Sequence, residues 1–420
     1  MNDDISINKE NVLTVGFTAP GWPLCDFPNG IVAYIQNMLY GLDHKIKPVV
    51  LAQTLINCKP DNALINISSL TATRSILEKI LDKIIFSAKI RYLRSIQYRR
   101  NISLNAQQLN MAMQQLQAPL DILEMEESFG AAYYLMKISK VPIVTRLHGP
   151  WFLIGSILHA QDEWDFKLRV SYEKKAIENA QGLTSPSLDV LEKVRSYYGL
   201  ALPHARVIPN PVLEVDIENQ WQFEARKKPS ILFVGRFDSV KGGDLILLTF
   251  QIIALKNKDI DLIFVGPDGE LMVEGKHLKF NEFIGRFIAE DTVKKRIQFL
   301  GHCDKALISD LRKKSLITIV CSRYETFSIS LAEALAAGCP VVATNVGGIK
   351  ELITDGYNGV LAQSESPEDI AEKVLELIND PIKMQLLSKN AIEDCKKRFS
   401  PEVVAAQTID YYKFVLAKLS

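Results

Sequence analysis

The stretch from Thr318 to Glu351 constrains the fold more than any other part of this chain. Thr318-Ile319-Val320-Cys321 is a short, β-branched apolar run of the kind that lies buried in a parallel sheet. A helical stretch follows to Ala337, where Gly338 can cap it and Pro340 cannot continue it. Val341-Val342-Ala343-Thr344 is then a second apolar strand, and Asn345-Val346-Gly347-Gly348 opens another helix. Strand, helix, strand and helix in this order are half of a doubly wound α/β sheet.

The same rhythm recurs on either side. Val12 to Phe17 reads as a first strand, the breaker-rich loop Ala19-Pro20-Gly21-Trp22-Pro23 follows, and an apolar-periodic helix runs on from Gly30. Strands at Asp121–Met125, Val141–Gly149 and Gly182–Ser185 alternate with helices to Val207-Ile208-Pro209-Asn210. Ser230-Ile231-Leu232-Phe233-Val234 restarts the alternation, continued by Asp261–Gly266 and Arg296–Gly301. A chain of 420 residues fits two domains that each bury a core. The expected division is 1–212, a polar linker 213–229, a second domain 230–400, and a final helix 401–420 packing back on the first domain. The expected fold is α/β, with two Rossmann-like parallel-sheet domains flanking a cleft.

Composition narrows the functional classes. Lysine plus arginine and aspartate plus glutamate both number 49, so overall charge gives no argument for nucleic acid. The start, Met1-Asn2-Asp3-Asp4, is acidic without a following apolar core, and no apolar run approaches the roughly 18 to 20 residues of a membrane span. The six cysteines are scattered and suggest neither a zinc site nor a disulfide framework. The expectation is a cytoplasmic protein with reduced thiols. Between Arg74 and Arg100 eight basic side chains face two acidic ones on a helical pattern, which suits either a solvated helix face or an anionic membrane surface.

Glu325 and Glu333 stand eight positions apart across a strand-to-helix switch, so the first belongs to the loop and the second to the helix. Both fall near the carboxyl edge of the sheet, where open α/β folds bind ligands. His148 ends a strand at the same kind of edge, and Gly30 opens a helix whose N-terminus offers free N–H groups. Asp259-Ile260-Asp261 has the Asp-x-Asp form of a metal-binding motif, but it stands at the start of a strand and reads as a solvated strand entrance.

Gly235-Arg236-Phe237-Asp238-Ser239-Val240-Lys241-Gly242, Glu325-x7-Glu333 and Gly338-Cys339-Pro340-Val341-Val342-Ala343-Thr344-x3-Gly348 together resemble the nucleotide-sugar domain of retaining glycosyltransferases of family 4, which have the GT-B fold. The match covers nearly all of residues 229–380. The resemblance implies transfer of a sugar from a nucleoside-diphosphate donor, UDP-sugar favoured and GDP-sugar as the alternative base, to a saccharide or lipid-linked acceptor, with no metal and no other cofactor. It implies that Arg236 and Lys241 hold the diphosphate, that Glu325 contacts the sugar and Glu333 the ribose, and that the loop Thr326-Phe327-Ser328 turns its N–H groups to sugar or phosphate. It places Gly235 and Gly30 near the phosphates, His148 at the donor sugar, and His302 and Cys303 near the nucleobase. Thr326 and Ser328 stand where many relatives have glycine, and Asn29-Gly30 replaces a glycine pair. A nucleotide-sugar epimerase and a non-catalytic, membrane-recruited partner on the same fold remain alternatives.

Overall fold

The structure, a computed structural model, describes residues 12–42, 45–70, 91–158, 160–223 and 229–420. The stretch 74–90 of the basic region therefore lies outside the described residues, and 91–100 begins the helix Arg91–Gln114. That helix also takes in most of the Asn- and Gln-rich stretch that follows.

Fifteen strands are described, and most belong to two sheets. The first contains β1 (Leu13–Ala19), β2 (Ile46–Ala52), β3 (Leu64–Asn66), β4 (Ile122–Glu126), β5 (Ile143–Arg146), β6 (Gly182–Ser185) and β7 (Arg206–Val207), in the order β3-β2-β1-β4-β5-β6-β7. β1 pairs in parallel with both β2 and β4. The second contains β8 (Ser230–Val234), β9 (Asp261–Val265), β12 (Ile297–Gly301), β13 (Ile317–Val320), β14 (Val341–Thr344) and β15 (Val360–Ala362), in the order β12-β9-β8-β13-β14-β15. Every pairing in this second sheet is parallel. An antiparallel hairpin of β10 (Leu271–Val273) and β11 (Lys276–Leu278) stands apart from both.

Local sequence explains these elements. β13 and β14 are buried along their whole length, as continuous β-branched runs in a covered parallel sheet should be. The helix Ile329–Ala336 ends where Gly338 takes a left-handed φ of 71°, a conformation glycine adopts without steric cost. At the other end of the chain Asn29 caps the helix Gly30–Gly41, its side chain accepting from the Ile31 N–H at 2.8 Å.

Two compact units result. Unit one comprises residues 1–146, 172–183 and 408–420; unit two comprises 147–171 and 184–407. In unit one, the core gathers Leu51, Leu109, Leu123, Leu135 and Ile143 between the sheet and its helices. Residues 408–420 join it through buried tyrosines: the Tyr412 hydroxyl donates to Glu124 Oε2 at 2.8 Å, and Tyr411 accepts from the Leu183 N–H at 2.8 Å. In unit two, a larger core runs from Trp221 through Phe237, Phe264 and Leu331 to Phe399. Trp221 falls in the polar stretch 213–229, yet it is buried and its indole N–H donates to the Ser315 carbonyl at 2.7 Å. Asp261 does open β9, but it is not solvated: it is buried, 3.7 Å from the Arg296 Nε, because the arginine supplies the charge that makes its burial tolerable.

Candidate active site

The order of the second sheet locates its switch point. β8 and β13 are neighbours, while the chain moves outward from them in opposite directions. Ligands of open α/β sheets bind beyond the carboxyl ends of such a strand pair. The residues that follow β8 and β13 are Gly235 to Gly242 and Cys321 to Ser328.

The turn after β8 is shaped by close backbone approaches. A Cβ on Gly266 would lie 2.0 Å from the Gly235 carbonyl oxygen, and one on Gly242, at φ 70°, would lie 2.0 Å from the Cys321 carbonyl oxygen. Glycine is required at both places for the strands to close on the turn. Within that turn Asp238, buried, accepts from the Arg236 Nε on one oxygen at 2.7 Å and from the Lys241 backbone N–H on the other at 2.8 Å. It thus orients both cations. The Arg236 side chain remains 54% exposed, free to face a ligand over most of its surface.

Lys241 reaches across the switch point. Its Nζ donates to Glu325 Oε1 at 2.6 Å, and the Ser322 hydroxyl donates to the same oxygen at 2.8 Å. Glu325 is therefore buried with a charged partner rather than solvated. Glu333, four residues into the helix Ile329–Ala336, pairs instead with Arg312 at 2.9 Å and stays about a third exposed.

The loop between the two glutamates is tied down on several sides. The Thr326 hydroxyl donates to the His148 carbonyl at 2.9 Å, and the Ser187 hydroxyl donates to the Thr326 carbonyl at 2.7 Å. The Gly348 N–H donates to the Glu325 carbonyl at 2.8 Å. Phe327 fills the core against Phe399. Ser328 caps the helix at φ 73°, and its buried hydroxyl has no hydrogen-bond partner among the described residues. The first N–H groups of that helix have no intrahelical acceptor, and its dipole favours an anion there. Two cations, a bound carboxylate and a helix N-terminus can hold a diphosphate and orient a polyhydroxyl group beside it.

His148 lies two residues beyond β5, half-buried, with its backbone joined to the loop through Thr326. His302 is exposed on the turn after β12, and burial pushes up the neighbouring Cys303 thiol, with the Asp304 carboxylate adding to the shift. Gly30 belongs to unit one, where it is the first residue of its helix. Sequence reasoning missed Asp238, although an acid between Arg236 and Lys241 in the same turn was a readable signal. It also missed Arg312, which no local pattern connects to Glu333. Among the described residues no three His, Cys, Asp or Glu side chains gather as metal ligands would.

Comparison with known proteins decides the family. The family model described as Glycosyltransferase Family 4 matches residues 28–213, and that described as Glycosyl transferases group 1 matches residues 216–394. The chain belongs to the family 4 glycosyltransferases. A relative from Methanocaldococcus jannaschii, called an uncharacterized glycosyltransferase, is 35% identical over 40% of this chain and 43% of its own length. A D-inositol 3-phosphate glycosyltransferase of Catenulispora acidiphila is 25% identical over 60% of this chain and 62% of its own. These alignments thus span less than two thirds of either relative. Among solved structures, sucrose-phosphate synthase from Thermosynechococcus elongatus superposes with a TM-score of 0.69 over 97% of this chain and 100% of that one, at 16% identity. Anabaena HepE in complex with UDP-glucose superposes at 0.64 over 96% of this chain and 100% of that one, at 15% identity. This family 4 chain accordingly has the GT-B fold, with a parallel α/β sheet in each half.

Proposed function

We propose that this protein is a retaining glycosyltransferase that moves a sugar from a nucleoside diphosphate, UDP favoured, to a saccharide or lipid-linked acceptor without a metal. The observation that carries the reading is the Lys241–Glu325 pair at 2.6 Å across the switch point, with Arg236 held on the same turn by Asp238. A sugar that leaves a diphosphate puts negative charge on the β-phosphate, and fixed cations aimed at that charge lower the barrier. Arg236 offers a fork and Lys241 a point charge, while Glu325 accepts from a sugar hydroxyl and Glu333 from the ribose hydroxyls. In this reading the departing phosphate takes the acceptor proton, so the incoming oxygen bonds the anomeric carbon on the face that the diphosphate leaves. The reading places His302 and Cys303 beside the base and His148 beside the donor sugar. HepE, whose structure was determined with UDP and UDP-glucose, supports UDP as the first donor to try. The basic region 74–100 is proposed to rest on an anionic membrane surface.

The reading is tested by melting purified protein with UDP, GDP and ADP, and then by assaying turnover with the sugars of whichever nucleotide stabilises it. Ligand binding to the folded state raises the midpoint by mass action. Lys241→Ala and Arg236→Ala should each lower turnover by about 10²-fold or more. Unchanged turnover in both variants, or no stabilisation by any nucleotide, would sink the proposal.

A further inference from the structure

The helix Lys305–Lys314, which leads from β12 to β13, buries an arginine and exposes a leucine. Of its ten residues Arg312 is the one that is buried, while Leu307 is 42% exposed. Arginine is almost never fully buried unless it is paired, and an apolar side chain at the same position would pack without taking a charge out of water. The Arg312 Nε adds to that cost, since it is buried with no hydrogen-bond partner among the described residues. A choice that works against stability in this way calls for a functional reason.

The groups that the guanidinium holds supply one. Its Nη2 donates to Glu333 Oε2 at 2.9 Å and to the Ser330 carbonyl, one turn earlier in the helix Ile329–Ala336, at 3.2 Å. Both ends of this contact are fixed. The buried Cys339 thiol donates to the Arg312 carbonyl at 3.4 Å, and the Ser330 hydroxyl donates at 3.0 Å to the carbonyl of Val234, the last residue of β8. Glu333 is thus tethered by one oxygen to a frame that includes the strand running into Arg236 and Lys241. Its Oε1 has no hydrogen bond among the described residues, and the side chain is 35% exposed.

A glutamate on an open helix face samples several rotamers, and its last torsion lets the carboxylate plane turn broadly. Two vicinal hydroxyls meet a carboxylate in a narrow range of that torsion. A carboxylate set before the ligand arrives therefore binds a diol more tightly than one that must be ordered by it. Tethered at Oε2, Glu333 keeps Oε1 and a second lone pair of Oε2 for such a pair of hydroxyls.

We propose that Arg312 is a positioning residue: by tethering Glu333 it sets the carboxylate for the 2′,3′-diol of a ribose, and so gives the site a preference for ribonucleotides over 2′-deoxyribonucleotides. The inference rests on the transferase reading, in which Glu333 meets the ribose.

Calorimetric titration of the full chain with UDP, GDP and ADP, and with their 2′-deoxy counterparts, tests it. The ribo form of whichever diphosphate binds should be preferred about tenfold or more, the size of a hydrogen bond to a charged acceptor. Arg312→Met keeps the length of the side chain and removes its charge. It should cut the preference to about threefold or less with a melting temperature no lower than wild type, because Glu333 is exposed enough to be hydrated by itself. Arg312→Lys should restore part of the preference. An arginine with a merely structural role would give the opposite pair of results, a lower melting temperature and an unchanged preference. Glu333→Gln should remove the preference, and adding Arg312→Met to it should change the ratio by less than about twofold, since the arginine acts through the glutamate. A preference in Arg312→Met within about twofold of wild type, or full multiplication of the two effects in the double variant, would overturn the inference and leave the transferase reading standing. Equal binding of ribo and deoxy forms by the wild-type protein would do the same. Binding of none of the diphosphates would sink the transferase reading, and the inference with it.

Discussion

At Gly242 a single hydrogen stands where any side chain would collide. The residue adopts φ 70°, and a Cβ would lie 2.0 Å from the Cys321 carbonyl oxygen. The Cys321 thiol, which burial keeps protonated by raising its pKa, donates back to the Gly242 carbonyl at 3.2 Å, so the two backbones cannot simply part. A left-handed conformation costs a non-glycine residue roughly 1–2 kcal/mol before any collision is counted. Gly242→Ala should therefore destabilise unit two by at least about 2 kcal/mol, a fall of roughly 4–8 °C in its melting midpoint. It should also disturb Lys241, whose backbone N–H is held by Asp238 on the same turn. A variant that melts within a degree of wild type would show that the turn relaxes freely. Ser328 is a different case, a non-glycine residue kept at φ 73°. Its backbone holds a left-handed conformation that glycine adopts at no steric cost, and the chain tolerates it because the loop is tied through Thr326, Ser187 and Gly348.

At the scale of elements, local pattern and long-range pairing separate. The strand-helix-strand run from Thr318 was legible because burial on both faces leaves β-branched apolar runs, and because Gly338 and Pro340 mark a helix end in any context. The placement of Glu325 in a loop and Glu333 in a helix was legible from the strand-to-helix switch between them. What holds them was not: Lys241 lies 84 positions from Glu325, and Arg312 reaches Glu333 from another helix. The same limit hid Glu351. Its carboxylate accepts from the Leu188 and Asp189 N–H groups at 2.8 and 2.9 Å, while Ser187 takes the Val190 N–H, so the helix Leu188–Tyr198 is capped by a residue 163 positions away. Capping carboxylates satisfy orphan donors and complement the helix dipole. Glu351→Ala should cost about 1 kcal/mol and speed amide exchange at Leu188 and Asp189 first, with Glu351→Gln intermediate. Unaltered exchange there would mean that water replaces the carboxylate at no cost.

On the scale of the whole molecule, unit one is closed by its last residues. Tyr411 and Tyr412 are both fully buried, and the Tyr412 and Tyr34 hydroxyls donate to the two oxygens of Glu124 at 2.8 and 2.7 Å. Burial raises the Glu124 carboxyl, while the nearby Arg146 guanidinium pulls it back down. Because the folded value is raised above 4.5, the ordinary value for this group, the proton-linked part of its contribution is fully present below that value. It is lost as pH rises through the raised value, where the carboxylate ionises inside the protein and depends on its donors. A hydrogen bond to an ionised carboxylate is worth roughly 1.5–3 kcal/mol, against about 1 kcal/mol for a neutral pair. Tyr412→Phe should thus destabilise unit one by about 2 kcal/mol at pH 8 and by about half as much at pH 4. The comparison is made by urea denaturation followed with a probe in unit one. A loss that is the same at both pH values would mean that Glu124 keeps one protonation state between them, and no loss at either would mean that the final helix is held by packing of Tyr411, Tyr412 and Val415 alone.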